Sequence, residues 1–280
     1  LEAMYQFDEG TGTDLDNAEG TAGADGTITG ASWAAAGTFT PGTSTLKMTG
    51  ASKNINYIGD ETIGHLHIDA GQTTLNNLTV TDGTDTFTCA SVLIDSGATF
   101  TTTSGTTTIT GESGVYAWQN NETDGTAFVH NNGKVKIATA SAHTEVQEDT
   151  FYDLEIAQAF SHIEAKFRDI SGNQVEILGN LDVTAGSFET NTAGDTFIIH
   201  GLTTIGANGK FNDDGNHTGP ITHHGLVTNQ GLYETTSGTN NFNGGVRNLG
   251  TFTSNDTLTI GGTGGVLEGN LDDAIINAVS

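Results

Sequence analysis

One recurring pattern constrains the fold of this chain more than any other: two or three apolar residues alternating strictly with polar ones, followed by a turn of Gly, Asn, Asp or Thr. It runs as Leu66-His67-Ile68, Leu78-Thr79-Val80, Val92 to Ile94, Val135-Lys136-Ile137, Leu154-Glu155-Ile156, Val175-Glu176-Ile177, Leu181-Asp182-Val183 and Leu258-Thr259-Ile260. A period of two gives each strand one buried and one wet face. Spacings of about 10 to 20 residues suit a β-solenoid, whose coils bury their apolar side chains only by stacking on their neighbours. A β-sandwich produces short strands at about 8 to 12 residues, so spacing alone does not choose between them. A second period favours the solenoid. Gly186-Ser187-Phe188, Gly209-Lys210-Phe211, Gly231-Leu232-Tyr233 and Gly250-Thr251-Phe252 place their glycines 23, 22 and 19 residues apart. That is about one coil, with Gly serving the turn and the aromatic ring a core stack.

Composition agrees. Thr is the commonest residue, at 48, and with Gly, Asn, Asp and Ser it makes a chain of strand and turn formers. Charge on 15% of residues, interspersed with Val, Ile, Leu and Phe, does not fit the profile of disorder. The charge is lopsided, with 34 Asp+Glu against 8 Lys+Arg and a net −26. Such a surface repels phosphate backbones, so a nucleic-acid partner is not expected. One cysteine, Cys89, supports neither an internal disulfide nor a CxxC metal clip. No apolar run approaches the ~18 residues of a membrane span, and no charged-then-apolar leader opens the chain. Because it starts at Leu1, the chain is expected to be a processed form or the ordered part of a longer one.

A longer repeat is also present. FTPGTSTLKM from Phe39 aligns with FVHNNGKVKI from Phe128, ETIGHLHI ending at Ile68 with DTFYDLEI ending at Ile156, and SVLIDSGATF from Ser91 with NLDVTAGSF from Asn180, at offsets of 88 or 89 residues. The expected organisation is a strand segment at 1–36, β-repeat units at 37–125 and 126–224, and shorter coils at 225–280. In EIAQAFSHIEAKFRDI, Phe160, Ile163, Phe167 and Ile170 fall at helical spacing, but Ile163, Ala165 and Phe167 also alternate; strand is the reading taken. DDAIINAV near the C-terminus reads as a capping helix or a last strand.

Two resemblances follow. Residues 4–33, with Tyr5, Phe7, Asp8, Glu9, Gly10, Gly12 and Trp33 matching, resemble the opening of laminin G-like, concanavalin A-type jelly-roll domains. This implies a strand-turn-strand start, not a working carbohydrate or calcium site. Residues 37–275, through GTFTPGTSTLKMTG, FVHNNGKVKI, TFYDLEI, LGNLDVTAGSFET and HGLTTIGANGKF, resemble Thr/Gly-rich repeats of bacteriophage fibre and appendage proteins and of bacterial adhesins. That resemblance implies a virion-surface or extracellular location, with other virion or surface proteins as partners. The expected fold is all-β: a β-solenoid or stacked β-sheet repeats with a short jelly-roll-like N-terminal segment.

Chemistry is sparse. The only arginines, Arg168 and Arg247, share no motif, and no Walker loop, GxSxG elbow or cysteine-nucleophile context occurs. For metals, His65 and His67 lie on one face of a strand and can chelate a divalent ion without a specified third ligand, whereas His223 and His224 point to opposite faces. The carboxylate-rich turns Asp14-Leu15-Asp16-Asn17, Asp82-Gly83-Thr84-Asp85 and Asp213-Asp214-Gly215-Asn216 offer weak Ca2+ binding without an EF-hand spacing. The threonine runs 101–103 and 106–108 are too irregular for an ice-binding array. Trp33, Tyr116, Trp118 and Tyr233, with Tyr5, are candidate platforms for host glycans. The expected role is a non-enzymatic, self-associating structural protein of a phage fibre, appendage or capsid surface. A bacterial adhesin or surface-layer segment is the alternative, and a secreted polysaccharide-active β-helix enzyme the third reading.

Overall fold

The structure is a computed structural model describing residues 14–15, 26–27, 32–34, 38–57, 62–77, 86–122, 126–147, 149–159, 164–168, 174–190, 194, 196–212, 217–236, 238–254, 257–261 and 266–269. Every regular element among them is a β-strand. Near the N-terminus two short antiparallel pairs form, Asp14–Leu15 with Gly26–Thr27 and Ser32–Ala34 with Thr38–Thr40. Tyr5, Phe7 and most of the laminin G-like phrase lie outside the described residues, as does DDAIINAV. The remaining strands build two compact units, residues 1–134 and 135–280, each a β-solenoid of parallel rungs.

In the first unit, Thr45–Met48, His65–Ile68, Ser91–Ile94 and Tyr116–Asn120 stack in register as one face, matching Leu46 to Leu66, Leu66 to Val92 and Val92 to Trp118. Lys53–Tyr57, Gly71–Asn77, Ala98–Thr101 and Phe128–Val129 form a second face, and Thr86–Cys89 on Thr106–Ile109 a third. The period of two explains what lies inside. Leu46, Leu66, Val92 and Trp118 point inward, while Lys47, His67, Leu93 and Gln119 point out. Phe100, Trp118 and Phe128 pack against one another, with Trp118 edge-on to Phe128 at 4.7 Å between ring centroids. Complete burial of Cys89 pushes its thiol pKa far up, so it behaves as a small core hydrophobe.

The second unit repeats the scheme with a continuous aromatic ladder. Ala165, Phe188, Phe211, Tyr233 and Phe252 occupy one column, and Phe151, Ile177, Ile199, His223, Phe242 and Ile260 another. Rings stack from Phe167 to Phe188 at 4.4 Å, then to Phe211 at 5.0 Å, Tyr233 at 4.8 Å and Phe252 at 4.7 Å. The Gly-x-aromatic period therefore marks the core stack. The segment with competing helical and strand periodicities is a strand over Glu164–Arg168, paired on one side with His143–Gln147 and on the other with Leu181–Thr190. Its Ala165 and Phe167 are buried, and in-register parallel pairing sets the backbone over the helical spacing.

Three glycines of that period, Gly209, Gly231 and Gly250, are there for room, while Gly186 sits at a positive φ of 80°. A Cβ on Gly231 would sit 2.2 Å from the carbonyl oxygen of Gly209 and 2.4 Å from that of Gly206. Those neighbours are backbone, which cannot swing aside. Gly231→Ala is therefore expected to lower stability by about 1–3 kcal/mol, the usual cost of overpacking, measurable as a lower urea midpoint. Gly97→Ala is not the matching control, because Gly97 has space but a positive φ of 80°. Gly261, with open space and ordinary φ, is, and Gly261→Ala should leave the midpoint nearly unchanged.

Buried polar groups close the corners. Asn229 and Asn248 stack, the Nδ2 of Asn229 donating to Asn248 Oδ1 at 2.7 Å, and each Oδ1 accepts the N–H two residues on. Deeper in the core, Thr203 hydroxyl and Tyr233 hydroxyl lie 2.9 and 3.3 Å from the two ring nitrogens of His223. Tyr233 donates to Asn240 Oδ1 at 3.0 Å, so its oxygen accepts from His223 Nε2–H, and the neutral Nδ1 accepts from Thr203. Burial, with a smaller contribution from the neighbouring His224, holds the His223 pKa down at about 3.

Among the described residues, cations reach an acid on the following coil at Lys47 to Asp69 at 3.1 Å, Lys136 to Glu155 at 2.9 Å, Lys210 to Glu234 at 3.2 Å and Arg247 to Glu268 at 2.7 Å on the outside, and at Lys166 to the buried Glu189 at 3.4 Å. Most are partly exposed, so each adds little stability. Their value lies in register, since slipping a strand by one residue against its neighbour separates each pair and turns the strand inside out.

Candidate metal centre

Register on the first face of unit 1 gathers three ligand-type side chains. His65 and His67 both point outward from the strand His65–Ile68 and are half-buried. His65 Nδ1 lies 2.7 Å from Ser91 Oγ, and partial burial lowers its pKa. His67 faces differently. Its Nε2–H donates to Asp95 Oδ2 at 2.7 Å and lies 4.0 Å from Asp69 Oδ1. Asp69 and Asp95 follow Ile68 and Ile94, which are register partners, so the two carboxylates stand one above the other where each rung ends. One ligand atom from each of His67, Asp69 and Asp95 lies within 4.8 Å of the other two.

The surroundings fix this arrangement. Asp69 N–H donates to Met48 carbonyl and Asp95 N–H to Ile68 carbonyl, both at 2.9 Å, which continues the ladder past the strand ends. Asn121 Nδ2 donates to Asp95 Oδ1 at 3.2 Å and itself accepts from Gln119 Nε2 at 3.1 Å. The Asp95 carboxyl is held below its ordinary pKa, chiefly by the hydrogen bond from His67, with further support from the His67 charge, Asn121 and Asp69 against an opposing desolvation. Lys47 Nζ, half-exposed, neutralises Asp69.

The other sequence candidates fall elsewhere. Trp118 and Tyr233 are fully buried core residues and present no ring face to a glycan; the register partners Val92 and Phe211 fix both inward. Tyr116 is half-buried at a strand start, in a turn where Ser113 N–H donates to its carbonyl. Trp33 lies on the strand Ser32–Ala34 opposite Phe39. Asp213 and Asp214, like Tyr5 and the other acidic turns except Asp14-Leu15, lie outside the described residues. His223 and His224 do point to opposite sides, the first into the core and the second outward, stacked on His200 at 5.0 Å.

Sequence reading missed Asp69 and Asp95. The phrases HLHIDA and SVLIDS carry the signal, an Ile-Asp at each rung end, once the two strands are laid in register. Among the described residues no helix is long and apolar enough to cross a membrane. No family model, curated protein or solved structure matches the chain.

Proposed function

We propose that this protein is a non-enzymatic structural and interaction element, a β-solenoid built into a phage fibre, appendage or capsid surface, where it associates with further copies and with other surface proteins. The observation that supports this reading best is the like-on-like stacking within each unit. Aromatic sits on aromatic, Asn on Asn and cation beside acid from one coil to the next. Such a stack uses its residues to specify register and rigidity, which is what a spacer or display element needs. The Thr/Gly-rich phrases shared in style with fibre and adhesin repeats point the same way. A strongly acidic exterior suits exposure to salty medium, where screening limits self-repulsion.

Immunogold negative-stain microscopy of the native source tests the proposal. Label on virion appendages or capsids is the expected result. Label on cell surfaces or free filaments would move the protein to the adhesin class, and label only on dispersed monomers would overturn a structural role. Turnover of a polysaccharide that disappears on mutating one carboxylate would overturn the non-enzymatic reading.

A further inference from the structure

We propose that His67, Asp69 and Asp95 bind one divalent metal ion of the zinc type on the outer face of unit 1, joining one coil to the next through side chains as well as backbone. The donor set is one imidazole nitrogen and two carboxylate oxygens, brought together by the register of Ile68 with Ile94. A zinc-type ion holds nitrogen and oxygen donors at about 2.0–2.2 Å, which sets tetrahedral donor–donor separations near 3.4 Å. The separations of 2.7 Å from His67 Nε2 to Asp95 and 4.0 Å to Asp69 straddle that value. Side-chain adjustments of under an ångström at these partly exposed groups bring Nε2 into range of both carboxylates, whose own ligand atoms lie within 4.8 Å of each other.

The ion takes the place now held by a proton. The ring coordinates through Nε2 as its Nδ1–H tautomer, so the Nε2 proton passes to Nδ1 or, if Nδ1 already holds one, to solvent; both carboxylates coordinate, and water completes the sphere. Asn121, donating to the other oxygen of Asp95, orients that ligand from behind. Three donors with a nitrogen among them suit Zn2+ and its neighbours better than Ca2+, which takes six to eight oxygens. Lys47 is the resident competitor, since its ammonium occupies Asp69 Oδ1 at 3.1 Å and has to swing away. Being half-exposed on a flexible stem, it can.

Titration calorimetry of the full chain with Zn2+, in a large excess of Mg2+ to occupy scattered carboxylates, tests the proposal. One saturable site per chain is expected, weakened at least about tenfold in His67→Ala and in Asp95→Asn. Lys47→Ala should bind more tightly, because the competing cation is gone, and His200→Ala, at an imidazole of unit 2 stacked on His224, should bind as the wild type does. With Co2+ as probe, visible ligand-field absorption should appear in the wild type and be lost in His67→Ala. Absence of a saturable site, or an unchanged isotherm in a His67→Ala variant that keeps its β circular dichroism, would overturn the assignment.

Discussion

Tyr233→Ala should cost about 4 kcal/mol of stability, near the middle of the range for emptying a large aromatic site. The ring is fully buried, lies within 3° of parallel to both Phe211 and Phe252, and touches Phe242 and His223 edge-on. Alanine leaves a gap in the middle of the ladder that neither neighbour fills, because each is held in register by its own rung. It also takes from Asn240 Oδ1 and His223 Nε2 a partner they share in the core. Tyr233→Phe separates the two contributions: the ladder stays intact and only the hydroxyl goes, for about 1–3 kcal/mol. Urea unfolding followed by circular dichroism reads both. Equal midpoints for Tyr233→Ala and for an exposed-site control such as Leu202→Ala would refute the ladder as the core of this unit.

Acid should weaken the same unit through His223. Its pKa falls from 6.5 in the open chain to about 3 in the fold, so between those values the unfolded chain binds a proton that the folded one refuses. The stabilisation from a neutral His223 is complete above pH 6.5 and is lost progressively as pH falls toward 3. At one and a half units below the unfolded pKa the loss is about 2 kcal/mol, growing to roughly 5 across the window. His223→Phe removes the titrating group and keeps a ring over Phe242, on which His223 stacks at 5.2 Å. The variant should be less stable than the wild type at pH 7, where Thr203 loses its partner, yet lose less stability between pH 6.5 and 4. Parallel pH profiles for the two proteins would show that His223 does not carry this linkage.

Much of this core was legible in the sequence because stacking repeats its residues at coil length. Gly-x-aromatic identified Phe188, Phe211, Tyr233 and Phe252 as one column, and alternation identified Leu66, Ile68, Val92 and Ile94 as inward. The same Tyr233 also looked like a glycan platform, and only the ladder excludes that. Trp118 was misplaced for a different reason: alternation puts it on the same side as Tyr116, and which side faces the core is set only by its pairing with Val92 on the preceding coil. His67 was visible as a donor, but its partners were not. Asp95 becomes its neighbour only through the pairing of strands separated by a full coil of variable length, and nothing local to either strand specifies that length. The His223 network shows the same limit, since Thr203, His223, Tyr233 and Asn240 come from four different strands.

The parallel direction of the rungs has a consequence for assembly. A coil whose strands all run the same way presents one row of backbone groups and side chains on its upper surface and a different row on its lower one. The ion pairs share this polarity, each cation looking toward the later coil. Within a unit, a head-to-tail contact between copies would join unlike rungs by parallel pairing and would not close on itself, whereas two like rungs meeting across a two-fold axis would have to pair antiparallel, against the direction used everywhere inside the stack.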